Sequence, residues 1–413
     1  MNKLVKYFVK PIWIIIKSVL LFLLFLIVIA ALVHLFVPRY SFPDKNKFEG
    51  KFLYNPYKNF KAENTIRGNY QMHSNVWGGI TDGSKNTDEA IFERYEYMGF
   101  SSISISNYQH INTYKSDEES YIPNYEHGYS IFKNHHLNLG AKKVVWFDLP
   151  LYQTLSQKQY MIDLLKKHCD LLCVNHPAFF HGYKPKDFTY LTSYDFIEVL
   201  NGYENSIPHW DSALSAGRPA LLLGNDDMHD VYNCYGVASR FNLVNTESNK
   251  REDVFKSLSE GNNIGVWVKN HDVESWEIRK ARLDSMSMPS KITLVNDTFC
   301  VEMTKNVSRY DFFGQNGRLL KRVEGGKSAY YVVKPSDTYV RLVAYLKTEQ
   351  FFDGIQLFFN PIMRSSDGDI PPMPKAVVNN AKTFIVRLII VAAAIFAVAY
   401  TVTRRVNRRK RKV

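Results

Sequence analysis

Two long apolar runs near the chain ends constrain what this sequence can fold into. Residues 18–37, SVLLFLLFLIVIAALVHLFV, and residues 383–402, TFIVRLIIVAAAIFAVAYTV, hold a single charge between them, Arg387. As helices rising about 1.5 Å per residue, both are long enough to cross a ~30 Å hydrocarbon layer. Arg387 is near enough to one end to snorkel to the interface. A cleaved signal peptide is the other reading of the first run, because Lys3, Lys6, Lys10 and Lys17 precede it. Its apolar stretch exceeds the usual ~7–15 residue signal core and no small-x-small cleavage site follows, so a membrane helix is the expectation.

The charge sorts by position. A formal net charge of +12 over 413 residues would by itself suggest a nucleic-acid partner. Residues 1–38 carry four lysines and no acid, and residues 375–413 carry ten basic residues and no acid. Between them stand 38 basic and 40 acidic residues, so the body is nearly neutral and no nucleic-acid partner is expected. Basic flanks outside both runs, including RRVNRRKRK after the second, favour the cytoplasm for both termini. The expectation is a two-pass cell-membrane protein whose body, residues 39–382, is periplasmic or extracellular, with the lipid bilayer as a partner. The C-terminal cluster could also hold anionic head groups, though topology already accounts for it.

The body is long enough for two domains. From residue 64 to 285, strand-like and helix-like stretches alternate: TIRGNYQMH then TDEAIFERYEYMG, LSQKQYMIDLLKKH then DLLCVNHP, FIEVLN then HWDSALSAG. That rhythm predicts an α/β domain, either a barrel or an open doubly wound sheet. Residues 286–364 change to short alternating runs such as TFCVEMT and SAYYVVK, which predict a small all-β sandwich. Linkers are expected at 38–63 and 365–382, and basic tails at 1–17 and 403–413. Four cysteines (Cys169, Cys173, Cys234, Cys300) do not require a disulfide framework; one bridge or buried free thiols both remain open.

In an α/β domain, reactive groups collect where strands end. Here those positions carry Gln71 and His73, Asn107 and Tyr108, Glu126, His176, Asn201, and Asp227 with His229. Each alone has a bland reading as a cap, a turn residue or a hydrogen-bonded core histidine. So many ligand-type groups at successive strand ends would repel one another and be costly to desolvate without a cation.

The order of these motifs resembles the polymerase and histidinol phosphatase (PHP) superfamily of metal-dependent phosphoesterases, from about Asn69 to His229. The family's first His-x-His is matched by QMH and the following turn by TDG, with Asp82. Its Thr-Asp-His becomes SNY, ending at Tyr108. PNYE supplies Glu126, HHLNLG aligns His135 more naturally than His136, VNHP supplies His176, and NDDMH supplies Asp227 and His229. The resemblance implies a distorted (β/α)7 barrel and one or two divalent ions, zinc, manganese or iron. It implies one position built from Gln71, His73, Glu126 and Asp227, where an amide replaces an imidazole. A second, from Glu126, His135 and His176, is intact. A third would keep only Asp82 and His229, because Tyr108 replaces a ligand. Three functional expectations follow: an envelope phosphoesterase with an altered metal site, a catalytically inactive binding or assembly module that holds a phosphoester ligand or an envelope protein, or a purely structural envelope protein whose polar strand ends are vestigial. In the β-rich part, Asp337, Arg341 and Arg364 could bind an anion, but domain packing is the preferred reading of them.

Overall fold

The computed structural model describes residues 3–81, 83–270, 275–348 and 351–410, and these fall into two compact units. One unit comprises residues 1–41, 149–160 and 377–413. In it, helix α1 (Lys3–Phe36) leads to strand β1 (Tyr40–Ser41), which pairs antiparallel with Val377–Val378 just before the last helix, Asn380–Lys410. That pairing sets the end of one long helix beside the start of the other. The Arg387 guanidinium donates to the Phe36 carbonyl at 2.8 Å, satisfying an orphan acceptor at the C-terminal end of α1. Residues 10–36 and 380–407 are long and apolar enough to cross a membrane.

The second unit holds residues 42–148 and 161–376. Its strands run β2 (Phe52–Tyr54), β3 (Thr65–Asn69), β4 (Phe100–Ile103), β5 (Glu126–His127), β6 (His136–Leu139), β7 (Leu171–Val174), β8 (Phe196–Asn201), β9 (Leu221–Asn225), β10 (Arg240–Asn245) and β11 (Asn263–Val268). Helix α2 (Asp88–Tyr97) crosses from β3 to β4. Thr87 caps it by accepting from the Ala90 N–H at 3.1 Å, and Ile91 and Tyr95, one turn apart, supply its buried face. A short helix, Ile207–Ser215, joins β8 to β9.

The expected single barrel is not what forms; the strands divide between two sheets. β5 to β9 make a five-stranded sheet in sequence order, antiparallel through β7 and parallel from there to β9. β3 and β4 belong to a ten-stranded sheet with β10 and β11. Two isolated parallel bridges, Met72 to Met228 and Tyr108 to Glu126, connect these sheets beyond the strand ends. Short two- to four-residue strands and antiparallel β5 and β6 give too little parallel ladder for a continuous closed sheet.

β9 is therefore an edge strand, and asparagine side chains finish it. Asn360 Oδ1 accepts from the Leu222 N–H at 2.9 Å and Asn263 Nδ2 donates to the Leu222 carbonyl at 3.1 Å. The Asn242 amide takes the Gly224 N–H at 3.0 Å and donates to the Gly224 carbonyl at 2.7 Å. A Cβ on Gly265 would stand 2.5 Å from Leu222 Cδ1, so glycine is what lets the sheets approach this closely.

The β-rich region forms a sandwich that is not autonomous. Its three-stranded face is β12 (Pro289–Val295), β13 (Thr298–Met303) and β16 (Ser328–Val332). The opposite face, β14 (Arg309–Gly314), β15 (Arg318–Glu324), β17 (Tyr339–Thr348) and β18 (Phe351–Phe359), continues without a break into the α/β part, because β18 pairs with β11. Phe299, Phe312 and Tyr331 pack between the faces.

The amide-finished edge makes a direct prediction. Asn242→Ala leaves two buried main-chain groups of Gly224 unpaired, at about 1–3 kcal/mol each, so denaturant unfolding should report a loss of about 2–6 kcal/mol. A loss below about 1 kcal/mol would refute a structural role for this edge.

Candidate metal centre

The ends of β3 and β9 and the strands β5, β6 and β7 converge on one carboxylate. Glu126 lies in β5 and is fully buried. Its Oε1 has His135 Nδ1 at 3.0 Å, His176 Nε2 at 3.1 Å, Gln71 Nε2 at 3.0 Å and Asn175 Nδ2 at 3.3 Å. Its Oε2 faces His73 Nε2 at 3.2 Å, and it accepts no well-directed hydrogen bond there. Asp227 Oδ1 stands 3.2 Å from His73 Nε2 and 3.3 Å from His229 Nε2. Two donor groups result: Glu126, His135 and His176, and His73, Asp227 and His229. Glu126 presents one oxygen to each.

Seven of the eight residues expected from the sequence are gathered here: Gln71, His73, Glu126, His135, His176, Asp227 and His229. The eighth, Asp82, lies outside the described residues. Two placements differ from the expectation. His229, expected apart from His73, shares a group with it, because both imidazoles reach the same Asp227 oxygen and their rings stack at 4.3 Å. Gln71 turns its amide nitrogen to Glu126 and leaves its buried Oε1 without a hydrogen-bond partner among the described residues. Tyr108 stacks on His73 at 4.4 Å. His136, the neighbour of His135 in the alternating strand, faces the other way and meets the Tyr183 hydroxyl at 2.8 Å. Asp337, Arg341 and Arg364 are elsewhere and bind protein groups: Tyr331, Asp211 and main-chain carbonyls.

The surroundings hold these donors at some cost. His176 and Asp227 have φ of 26° and 52°, a left-handed backbone worth about 1–3 kcal/mol of strain in a non-glycine residue. The His176 N–H is fixed by Glu198 Oε2 at 2.8 Å, and the same carboxylate accepts from Asn201 at 3.0 Å and Asn225 at 2.9 Å. Burial pushes Glu198 up to about 8. Sequence reasoning passed over Glu198, although a lone charge inside the apolar strand FIEVLN was a usable signal. Asn201 also donates to Asp227 Oδ2 at 3.3 Å. The adjacent Asp226 is structural: it takes the Tyr95 hydroxyl at 2.6 Å and the N–H groups of Ala238, Ser239 and Arg240.

Electrostatics follow from this crowding. Burial would raise Glu126, but His135 beside it, hydrogen bonds from His135 and His176, and the close approach of the His73 imidazole hold it well below the usual carboxylate range. Asp227 is also lowered, its burial outweighed by hydrogen bonds from His229 and His73. Burial would lower His73 and His176, yet their bonds to Asp227 and Glu126 raise both to about 9. His135 goes down, because burial dominates over Glu126. Without a cation, two imidazoliums balance two carboxylates.

A divalent ion fits this donor set better than protons do. Two ligands on one ion, at bonds of about 2.0–2.2 Å, stand roughly 3.0–3.5 Å apart, which matches the nitrogen–oxygen separations here. The crowded Glu126 Oε1 and the unpartnered Gln71 Oε1 are also explained by a missing positive charge. Imidazoles must be neutral to bind metal, and His73 and His176 are protonated at pH 7. Metal binding should therefore release protons, with each group's affinity rising about tenfold per pH unit up to about pH 9. Calorimetry of manganese or zinc binding in buffers of different ionisation enthalpy checks this; pH-independent affinity between 7 and 9 would contradict it.

No protein-family model matches this chain, and no curated protein matches it either. Among solved structures, a two-domain protein from Bacteroides vulgatus ATCC 8482, containing a predicted PHP-like metal-dependent phosphoesterase, is similar over 82% of this chain and 100% of its own, at 11% identity and a TM-score of 0.37. A likeness at that level carries no argument about activity.

Proposed function

We propose that this chain is a membrane-anchored, PHP-like phosphoesterase with an altered metal centre. The observation that carries the reading is Glu126, fully buried with an oxygen turned to each of two histidine-containing donor groups. Glu126, His135 and His176 would hold one ion; His73, Asp227 and His229, with the second Glu126 oxygen, would hold another. Bound ions supply Lewis-acid chemistry, neutralising phosphoryl charge and lowering the pKa of water. The chain's own part is to fix the ligand atoms. Glu198 locks the His176 backbone, Asn201 orients Asp227, and Tyr108 covers one face of His73 against water.

The full chain should carry about one or two ions and hydrolyse an aryl phosphate, and Glu126→Ala should remove both properties. Elemental analysis and turnover together test it; a folded, metal-free native protein would refute the reading. A second reading, a binding module without turnover, draws on Gln71, whose amide nitrogen already occupies Glu126 Oε1 where an imidazole ligand would leave room for an ion. Gln71→His separates the two readings. It should raise metal affinity roughly tenfold or more, as coordination-sphere changes commonly do, with turnover rising in an altered enzyme and staying at zero in a binding module.

The two apolar helices, with basic residues at their outer ends, support a two-pass topology with both termini cytoplasmic. The antiparallel pairing of Tyr40–Ser41 with Val377–Val378 suits helices that leave and re-enter the bilayer on one face. A C-terminal epitope tag should be shielded in intact cells and exposed on permeabilisation; labelling of intact cells would reverse the topology.

A further inference from the structure

Beside the metal centre lies an open cleft of about 580 Å³ whose lining includes His135 and Tyr108. Its walls are apolar where they face water: Trp77, Ile80, Ile131 and Trp146 line it and are 45%, 89%, 64% and 60% exposed. Large apolar side chains gathered round one opening mark a ligand or interaction surface. Among the polar residues of that lining, two matter here. Lys133 contributes a cation. Gln109 is only 6% exposed, and both its amide oxygen and its amide nitrogen lack a hydrogen-bond partner among the described residues. Such a buried orphan pair is costly unless a ligand completes it. Trp77 and Gln109 are further held at φ of 54° and 50°, a strain that the fold sustains at this opening.

We propose that this cleft is the leaving-group subsite of the metal centre and that its ligand is an amphiphilic phosphoester: a phosphate at the Glu126 donor groups, a short polar linker against Gln109, and a hydrocarbon chain along Trp77 and Trp146. The proposal rests on the metal-centre reading above. Hydrolysis there forms a bond from a water oxygen to phosphorus, breaks the phosphorus–oxygen bond to the linker, and releases the linker as an alcohol that takes up the proton water gives up. A lipid chain suits the walls better than a flat base does. The two indoles meet edge to face at 5.9 Å and 73°, with no parallel pair of faces for stacking, while Ile80 and Ile131 add branched aliphatic surface. A chain carrying two helices apolar enough to span a bilayer also has such lipids at hand.

The test uses the full chain in lipid nanodiscs, loaded with manganese, with methyl phosphate and hexyl phosphate as probes and calorimetry as readout. Each buried methylene adds to affinity, so hexyl phosphate should bind about tenfold or more tightly than methyl phosphate. Trp77→Ala and Trp146→Ala should each remove most of that advantage, leaving metal content and methyl phosphate affinity unchanged. Gln109→Leu gives an independent check, weakening a glycerol phosphate probe several-fold while sparing methyl phosphate. Equal affinity for methyl and hexyl phosphate, or a chain-length preference that survives both tryptophan variants, overturns the subsite while the metal centre stands. Absence of metal from the native protein overturns the centre and the subsite together.

Discussion

Three asparagine side chains, Asn242, Asn263 and Asn360, complete the hydrogen bonding of one strand edge, and the placement of the candidate metal ligands depends on that. The edge groups of β9 at Leu222 and Gly224 would otherwise be buried without partners between two sheets. Because amides bridge them, the five-stranded sheet can sit against β10 and β11 without sharing a main-chain ladder. The consequence is positional. Asp227, two residues beyond the end of β9, comes to lie beside His73, four residues beyond the end of β3, although the two strands belong to different sheets.

The same junction concentrates charge. Four histidines and two carboxylates are brought to a place where desolvation penalises every ionised form, and their proton affinities respond by pairing: carboxylates down, two imidazoles up. A cluster of this kind is balanced without metal, and an ion in each donor group would displace that group's one imidazolium proton while engaging the carboxylate oxygens. Buried charge of this density is a poor way to stabilise a fold. Here it coincides with strained backbone at His176 and Asp227.

The candidate donor groups and the cleft meet at shared residues. His135 and Tyr108 belong to both, so a ligand reaching the metal donors from the cleft would pass Gln109 and the two tryptophans. The apolar exposure that would be a liability on an ordinary soluble surface is consistent with a chain that carries two helices long and apolar enough to cross a membrane.

Much of this was legible in the sequence, for identifiable reasons. Apolar runs of membrane length announce themselves because a helix must match the bilayer. The strand-helix rhythm gave a mixed α/β body, and polar residues just past strand ends marked Gln71, His73, Glu126, His176 and Asp227, since side-chain alternation leaves little freedom there. His135 rather than His136 followed from the match of HHLNLG to the family's strand motif. What the sequence could not supply was anything that depends on which strands become neighbours. The division into two sheets, the amide-finished edge of β9, the joining of the β-rich face to β11, and the meeting of His229 with His73 all arise from long-range packing. Gln109 was silent for the same reason, and Glu198 showed only as a lone charge in an apolar strand. A polar side chain declares its role only when its surroundings fix which of its atoms lack a partner, and only the tertiary structure decides that.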